Sequence, residues 1–278
     1  MSNRLVAAIS TATALRGLGM VVLMTFLPVY ATLVGMGISE VGLATAISTG
    51  VGVLVTPFAG LATDILGTRL MLMLSTVCMA LAPLLPLWSR DFLGVLAAYI
   101  LLNVSMFTWM PARGAAIASG VDERSLGTSF AMTSLPFQVV RAFTPYIAGI
   151  AIKGLGYDAV FTATSILILV AMVVILLNVP SGTGARAPSP RKILSGVLPS
   201  SKHEIPFYAF LSFDRFGWRL WLPMLNTYLR AHVGLGEDVI GFISSVRGAT
   251  SALLLAVSYT HLRAHETSLH LVCRLLLE

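Results

Sequence analysis

The sequence predicts an all-α integral membrane protein, and three observations carry that prediction. Of 278 residues, 56% are hydrophobic and 11% charged, against roughly 25% charged in an ordinary soluble domain. The apolar residues fall into runs of about 20, the length that crosses a hydrocarbon core as a helix. The runs lack the alternation of a lumen-facing barrel strand, and in lipid only a helix satisfies its backbone within one segment. The same composition excludes a disordered chain. The net charge of +6 reflects few acids rather than a basic stripe, which excludes nucleic acid as a partner.

Eight spans follow in order: Ala12 to Val34, Val41 to Ala62, Leu70 to Trp88, Phe92 to Pro111, Gly127 to Ile152, Val160 to Val179, Phe207 to Leu229 and Val239 to Val257. The first is read as retained rather than as a cleaved signal, because Arg16 interrupts the apolar run that continues to Val34. Between the sixth and seventh spans, Ser181 to Pro206 is rich in Pro, Gly and Ser and carries Arg186, Arg191, Lys192 and Lys202. That composition marks a solvated linker. Cys78 and Cys273 are too few for a disulfide framework or a zinc site.

An N-terminus in the cytoplasm places Arg4, Arg69, Arg113, Arg124, Arg186, Arg191, Lys192 and Lys202 inside and only Arg90, Lys153 and Arg230 outside. The positive-inside rule selects this orientation. At an offset of 199 residues the chain also matches itself. Arg16 falls on Arg215, Val34 on Val233, Gly35 on Gly234, Gly37 on Gly236 and Gly42 on Gly241. The stretch that closes the first span recurs at the close of the seventh, which predicts parallel repeats of six spans each.

The loop between spans two and three reads Gly60-Leu-Ala-Thr-Asp64-Ile-Leu-Gly67-Thr-Arg69. Its spacing and position resemble the signature loop of the major facilitator superfamily, although Ile65 stands where that family usually has a basic residue. A weaker echo begins at Asp122 and Arg124 before span five. The resemblance implies a secondary transporter working by alternating access, with Gly60, Asp64, Gly67 and Arg69 in the gating loop. Physically, such a carboxylate can accept hydrogen bonds or pair with an arginine, while glycines allow close backbone approach. On this reading 1–180 is a six-helix bundle, 181–206 a cytoplasmic linker and 207–257 the first two helices of a second bundle.

Charges inside the spans mark the candidate solute site, because an arginine at the bilayer centre costs about 2.5–3.5 kcal/mol on insertion scales and needs a cavity or a partner. Arg141 lies near the middle of span five, with Gln138 expected on its face, and Arg247 near the middle of span eight. Span seven carries Asp214, Arg215 and Arg219, and Asp214 is the one acid well inside a span, hence the candidate for protonation coupling. Arg16 and Arg215 are expected to snorkel towards the cytoplasmic ends. A positive interior favours anions, so the expected cargo is a small organic anion or other polar metabolite, with or without a coupling proton or ion. Proton-coupled drug efflux is the alternative, although the Gly-Pro pair common in span five of such exporters is reduced to Pro145 and Gly149 and the usual span-four arginine is replaced by Asn103. A non-transporting receptor on the same fold is a second alternative. No nucleophile, phosphate-binding loop or metal site supports an enzyme, and no cofactor is expected. The expected setting is the plasma membrane of a prokaryote, as a monomer in lipid.

The segment 258–278 changes composition abruptly and resembles a recurrent tail of conceptual translations from fragmentary assemblies, so it is expected to be foreign. His261, His265 and Glu266 have helical metal-pair spacing but fall within it. The repeat would put the second gating loop there, and Tyr259, Arg263, Glu266 and Ser268 do not reproduce it.

Overall fold

A computed structural model describes residues 2–122, 125–181 and 201–254, with side chains described throughout except at 2–3, 214–220 and 222–223. Every regular element among them is helical. Helix α1 spans Ser2–Leu33, α2 Ile38–Leu66, α3 Thr68–Leu81, α4 Leu85–Trp88, α5 Phe92–Gly120 and α6 Leu126–Asn178. A 3₁₀ turn at Lys202–Glu204 leads into α7, Ile205–Ala231, and a last helix, α8, covers 237–254. Five helical segments are long and apolar enough to cross a membrane, with α3 and α4 forming one of them. Helix α7 is not among these; its Asp214, Arg215, Arg219 and Arg230 lower its apolar content.

The helices run longer than the apolar stretches that predicted them. Helix α1 starts ten residues before Ala12, and α5 continues past Pro111 to Gly120. Prolines inside membrane helices are tolerated because neighbouring groups can re-satisfy the freed carbonyls, and Pro28, Pro57, Pro111, Pro136 and Pro145 all lie within helices. The linker residues 182–200 and the suspected tail lie outside the described residues.

Helix α6 has 53 residues, about 80 Å if straight, far more than one bilayer needs. It folds back at Gly156, whose φ of 83° breaks the helical path and is open to glycine without steric cost. The two arms lie along α1 in opposite directions. Tyr30 stacks near Tyr157 and Phe161, at centroid distances of 5.3 and 5.7 Å. Further down α1, Gly19 meets Ile168, and Leu5 packs in one cluster with Ile175 and Val179. The fifth and sixth spans of the sequence are therefore the arms of this hairpin.

Helix α1 is the centre of the first bundle. Leu23, Phe26, Leu27, Val29 and Ala31 are fully buried. Two apolar layers surround it, one around Phe26 and Phe161 and the other around Ile9, Leu72 and Ile117. Outward positions such as Leu54, Phe58, Leu93, Phe143 and Leu177 are more than 60% exposed. Exposed apolar surface on this scale is a liability in water and the expected face towards lipid.

The sequence repeat is a backbone repeat. Gly35 and Gly234 both take positive φ, 87° and 74°, where a Cβ would be strained. Val41 donates to the Gly37 carbonyl at 3.1 Å, and its counterpart Ile240 donates to the Gly236 carbonyl at 3.0 Å. The turn from α1 to α2 and the turn from α7 to α8 share the positive-φ glycine and the start of the next helix, while α7 ends earlier and its last amides reach one residue further back, Val233 to Tyr228 against Val34 to Tyr30. Both halves meet near them. Asn226 Nδ2 donates to the Thr25 carbonyl at 3.0 Å, and Lys153 pairs with Asp238 at 2.8 Å. A Cβ on Gly149, Gly241 or Gly248 would collide with the backbone at Glu237, Pro145 and Arg141 respectively, so α8 lies directly on the first arm of α6. At its other end α7 exposes Phe207, Phe210 and Phe213. The contacts between the halves among the described residues lie on the Gly156 side and near mid-height, and none is described beside Arg69.

Candidate functional site

The two halves enclose a cavity of about 260 Å³. From the first half α1 supplies Thr25, α2 Thr45, α5 Tyr99 and Asn103, and α6 Arg141; from the second come Asn226, Ser244 and Arg247. Asn103 is fixed by donating to Ser48 Oγ at 3.2 Å and to the Tyr99 carbonyl at 3.0 Å. Helix α8 is anchored beside it where the Tyr146 amide donates to Ser245 Oγ at 3.0 Å. Pro145 removes the amide that would have bonded the Arg141 carbonyl, and Gly248 approaches that carbonyl.

Arg141 and Arg247, expected to face one cavity, do so from opposite halves. Among the described residues neither guanidinium has a hydrogen bond or an ion pair, and Arg247 Nε is buried without a partner. An unpaired buried cation is costly. The interhelical salt bridge that would make these arginines structural is not there among the described residues.

Gln138 parts company with Arg141. It opens instead into a neighbouring cavity of about 250 Å³ with Arg16, Trp109 and Arg113. One helical turn separates the two residues, and the cavity walls at Met20, Met106 and Phe137 run between them.

Arg16 does not snorkel. It is 4% exposed, donates to Ser105 Oγ at 2.6 Å and to the Ser75 carbonyl at 3.4 Å, and lies 3.8 Å over the Trp109 ring. Helix α1 begins so early that Arg16 is in its middle, too deep for its side chain to reach an interface. Arg113, read from sequence as a loop residue that sets topology, is a helical residue of α5 bonded to Thr133 Oγ1 at 2.7 Å and Ser134 Oγ at 2.6 Å. Pro111, which in sequence marks a helix end, lies inside α5, so the helix carries Arg113 with it. Tyr99, Asn226 and Trp109 were also missed, because nothing local distinguishes a cavity residue from a packed one.

In the gating loop, Gly67 has φ of 88° and joins α2 to α3 with its amide bonded to the Thr63 carbonyl at 3.0 Å. Arg69 donates to the Leu176 carbonyl, tying α3 to the end of α6. Asp64 is half-buried and makes no hydrogen bond or ion pair among the described residues, so the expected carboxylate–arginine pair is not formed. Gly60 has open space where a Cβ would stand, and the close approach expected there is absent. The backbones of Asp214, Arg215 and Arg219 lie in α7, but their side chains are outside the described ones. No cluster of His, Cys, Asp or Glu among the described residues could hold a metal.

Two repeated helical units closing on a cavity with polar and charged groups in an apolar lining define a membrane protein of the solute-transporter class. The family model of the Major Facilitator Superfamily matches residues 9–263, and the chain belongs to that superfamily. The match runs past residue 258, where a foreign tail was expected to begin. No curated protein sequence matches. Among solved structures, the chain resembles a bacterial homologue of the human lysosomal transporter Spinster in an inward-facing, unoccupied conformation, with TM-score 0.64 and 12% identity over 91% of this chain and 60% of that one. It also resembles a peptide transporter, POT, in complex with sulfate, with TM-score 0.57 and 12% identity over 86% of this chain and 48% of that one. A bacterial homologue of the human drug peptide transporters gives 0.57 and 15% over 94% and 55%. These identities establish the shared fold. The chain spans 60% or less of the length of these relatives.

Proposed function

We propose that this chain belongs to a secondary transporter for small organic anions, working by alternating access about the Arg141 and Arg247 cavity. The observation that carries the reading is that each half contributes to the same cavity one arginine with no hydrogen bond or ion pair among the described residues. An anion bound between them would neutralise both and draw the halves together, whereas a cation would meet uncompensated repulsion. The bundle at 1–180, the linker at 181–206 and the helices at 207–257 would be the moving parts, and the contacts at Lys153 and Asn226 the closed side. With the N-terminus in the cytoplasm of a prokaryote, the Arg69 side faces inward. Asp214 is the candidate for proton coupling.

A thermal-stability screen of the purified chain in detergent tests the reading, with small carboxylates and phosphate esters set against size-matched neutral and cationic solutes. Anions alone should raise the unfolding temperature, and Arg141→Gln or Arg247→Gln should each weaken the response by about tenfold or more, the loss of one charge-assisted contact. Equal stabilisation by neutral solutes, or an unchanged anion response in both variants, would overturn it.

A further inference from the structure

The second cavity is built entirely from the first half. Its walls come from α1, α3, α5 and the first arm of α6, and among the described side chains none from 201–254 reaches it. Three buried polar atoms in it have no partner among the described residues: Arg16 Nε, Arg113 Nε and Gln138 Oε1. Arg16 itself is 4% exposed. Buried polar atoms are rarely left unpaired, and three converging on one space mark a place that a ligand can complete. The rest of the lining is apolar and soft, with Met20, Met79, Met106 and Met110 beside the Trp109 ring. Methionine adapts to irregular apolar shapes.

We infer that this cavity is a second binding site, separate from the one between the halves, for an amphipathic monoanion: a carboxylate on a flat apolar body. The carboxylate would lie between Arg113 and Arg16, which present N–H donors and no acceptor. The apolar body would lie along the methionines. A cavity of roughly 150 Å³ accepts benzene, so about 250 Å³ suits a bicyclic ring. A strongly hydrated dianion is a poor fit, because the apolar wall offers nothing to replace its water. Each guanidinium already spends Nη2, Arg16 on Ser105 and Ser75 and Arg113 on Thr133 and Ser134, and Arg113, the less buried of the two, is the one to vary without cutting the polar layer around Arg16.

Trp109 supplies the readout. In the full chain in lipid nanodiscs, Trp88→Phe, Trp218→Phe and Trp221→Phe leave Trp109 as the sole indole, and 6-bromo-2-naphthoate serves as a heavy-atom quencher with its neutral amide as control. The carboxylate should quench Trp109 saturably and the amide should not. Arg113→Gln should weaken the carboxylate by about tenfold or more, Arg113→Lys should recover most of the loss, and Arg247→Gln should leave it within about twofold. Equal quenching by the amide would show partition into lipid and overturn the site. So would loss of quenching in Arg247→Gln with Arg113→Gln unaffected, which would place the ligand between the halves. If Arg113→Gln fails to fold, the Arg113→Lys and Arg247→Gln comparison decides by the same criteria.

Discussion

Arg16 and Arg247 are both arginines in the interior of a membrane bundle, and their surroundings differ. Arg16 has a hydroxyl, a carbonyl and an indole face arranged around it. Arg247 has a cavity. A buried cation with its partners built in belongs to the fold, and one without them costs stability until something enters. The polar layer at Arg16, Ser75 and Ser105 separates the two apolar layers of the first half, so a single side chain holds α1, α3 and α5 in register.

That contrast can be broken most sharply by exchange of charge. Arg16→Gln should lower stability by about 3 kcal/mol, from lost charged hydrogen bonds and cation–π contact. Arg247→Gln should leave the unfolding temperature without ligand unchanged or raised. A comparable fall in both would erase the distinction. Next in size is the seam between α6 and α8. Gly248→Leu must displace the Arg141 backbone, and the expected loss is about 2 kcal/mol, read as a lower unfolding temperature and a weaker cross-link between cysteines placed at 153 and 238. The two equivalent turns come third. Gly35→Ala and Gly234→Ala should each cost about 1–2 kcal/mol and by similar amounts, since both glycines hold a positive φ; a large difference in chemical denaturation would argue against equivalence. The smallest effect concerns Asp91, the N-cap of α5. Its carboxylate accepts from the Gly94 amide at 2.9 Å and the Ser89 hydroxyl at 2.7 Å, which holds its pKa below the usual range. Its contribution is therefore present above the unfolded value, about 3.9, and lost as pH falls through the folded one. The stability gap between wild type and Asp91→Ala should close below about pH 4.

The sequence made the helices legible because lipid allows so few alternatives. It made the turn at Gly35 and Gly234 legible because a positive φ restricts residue choice, and a repeated restriction leaves a repeated letter. Arg141 and Arg247 were found because depth alone makes an arginine conspicuous. Their separation from Gln138 was not legible, since a helical face gives direction and not the position of a wall formed by Phe137 and Met106. The fate of Arg16 depended on Ser75 and Ser105, 59 and 89 residues away, which no local pattern connects to it. The pairing expected at Asp64 shows the converse: a motif can be read correctly as a turn while, among the described residues, its arginine bonds the Leu176 carbonyl and leaves the carboxylate without a partner.

The seam between α6 and α8 has a mechanical consequence. Glycine laid against backbone offers no ridge to lock into a groove, unlike the interdigitated layers around Phe26. Sliding one helix along the other there meets no interlocked ridge, but it must release the Tyr146 amide from Ser245 Oγ and Lys153 from Asp238, so these two contacts fix the register of the seam. The arm that carries Arg141 and the helix that carries Arg247 are thus two rails in contact, pinned at Ser245 and Asp238.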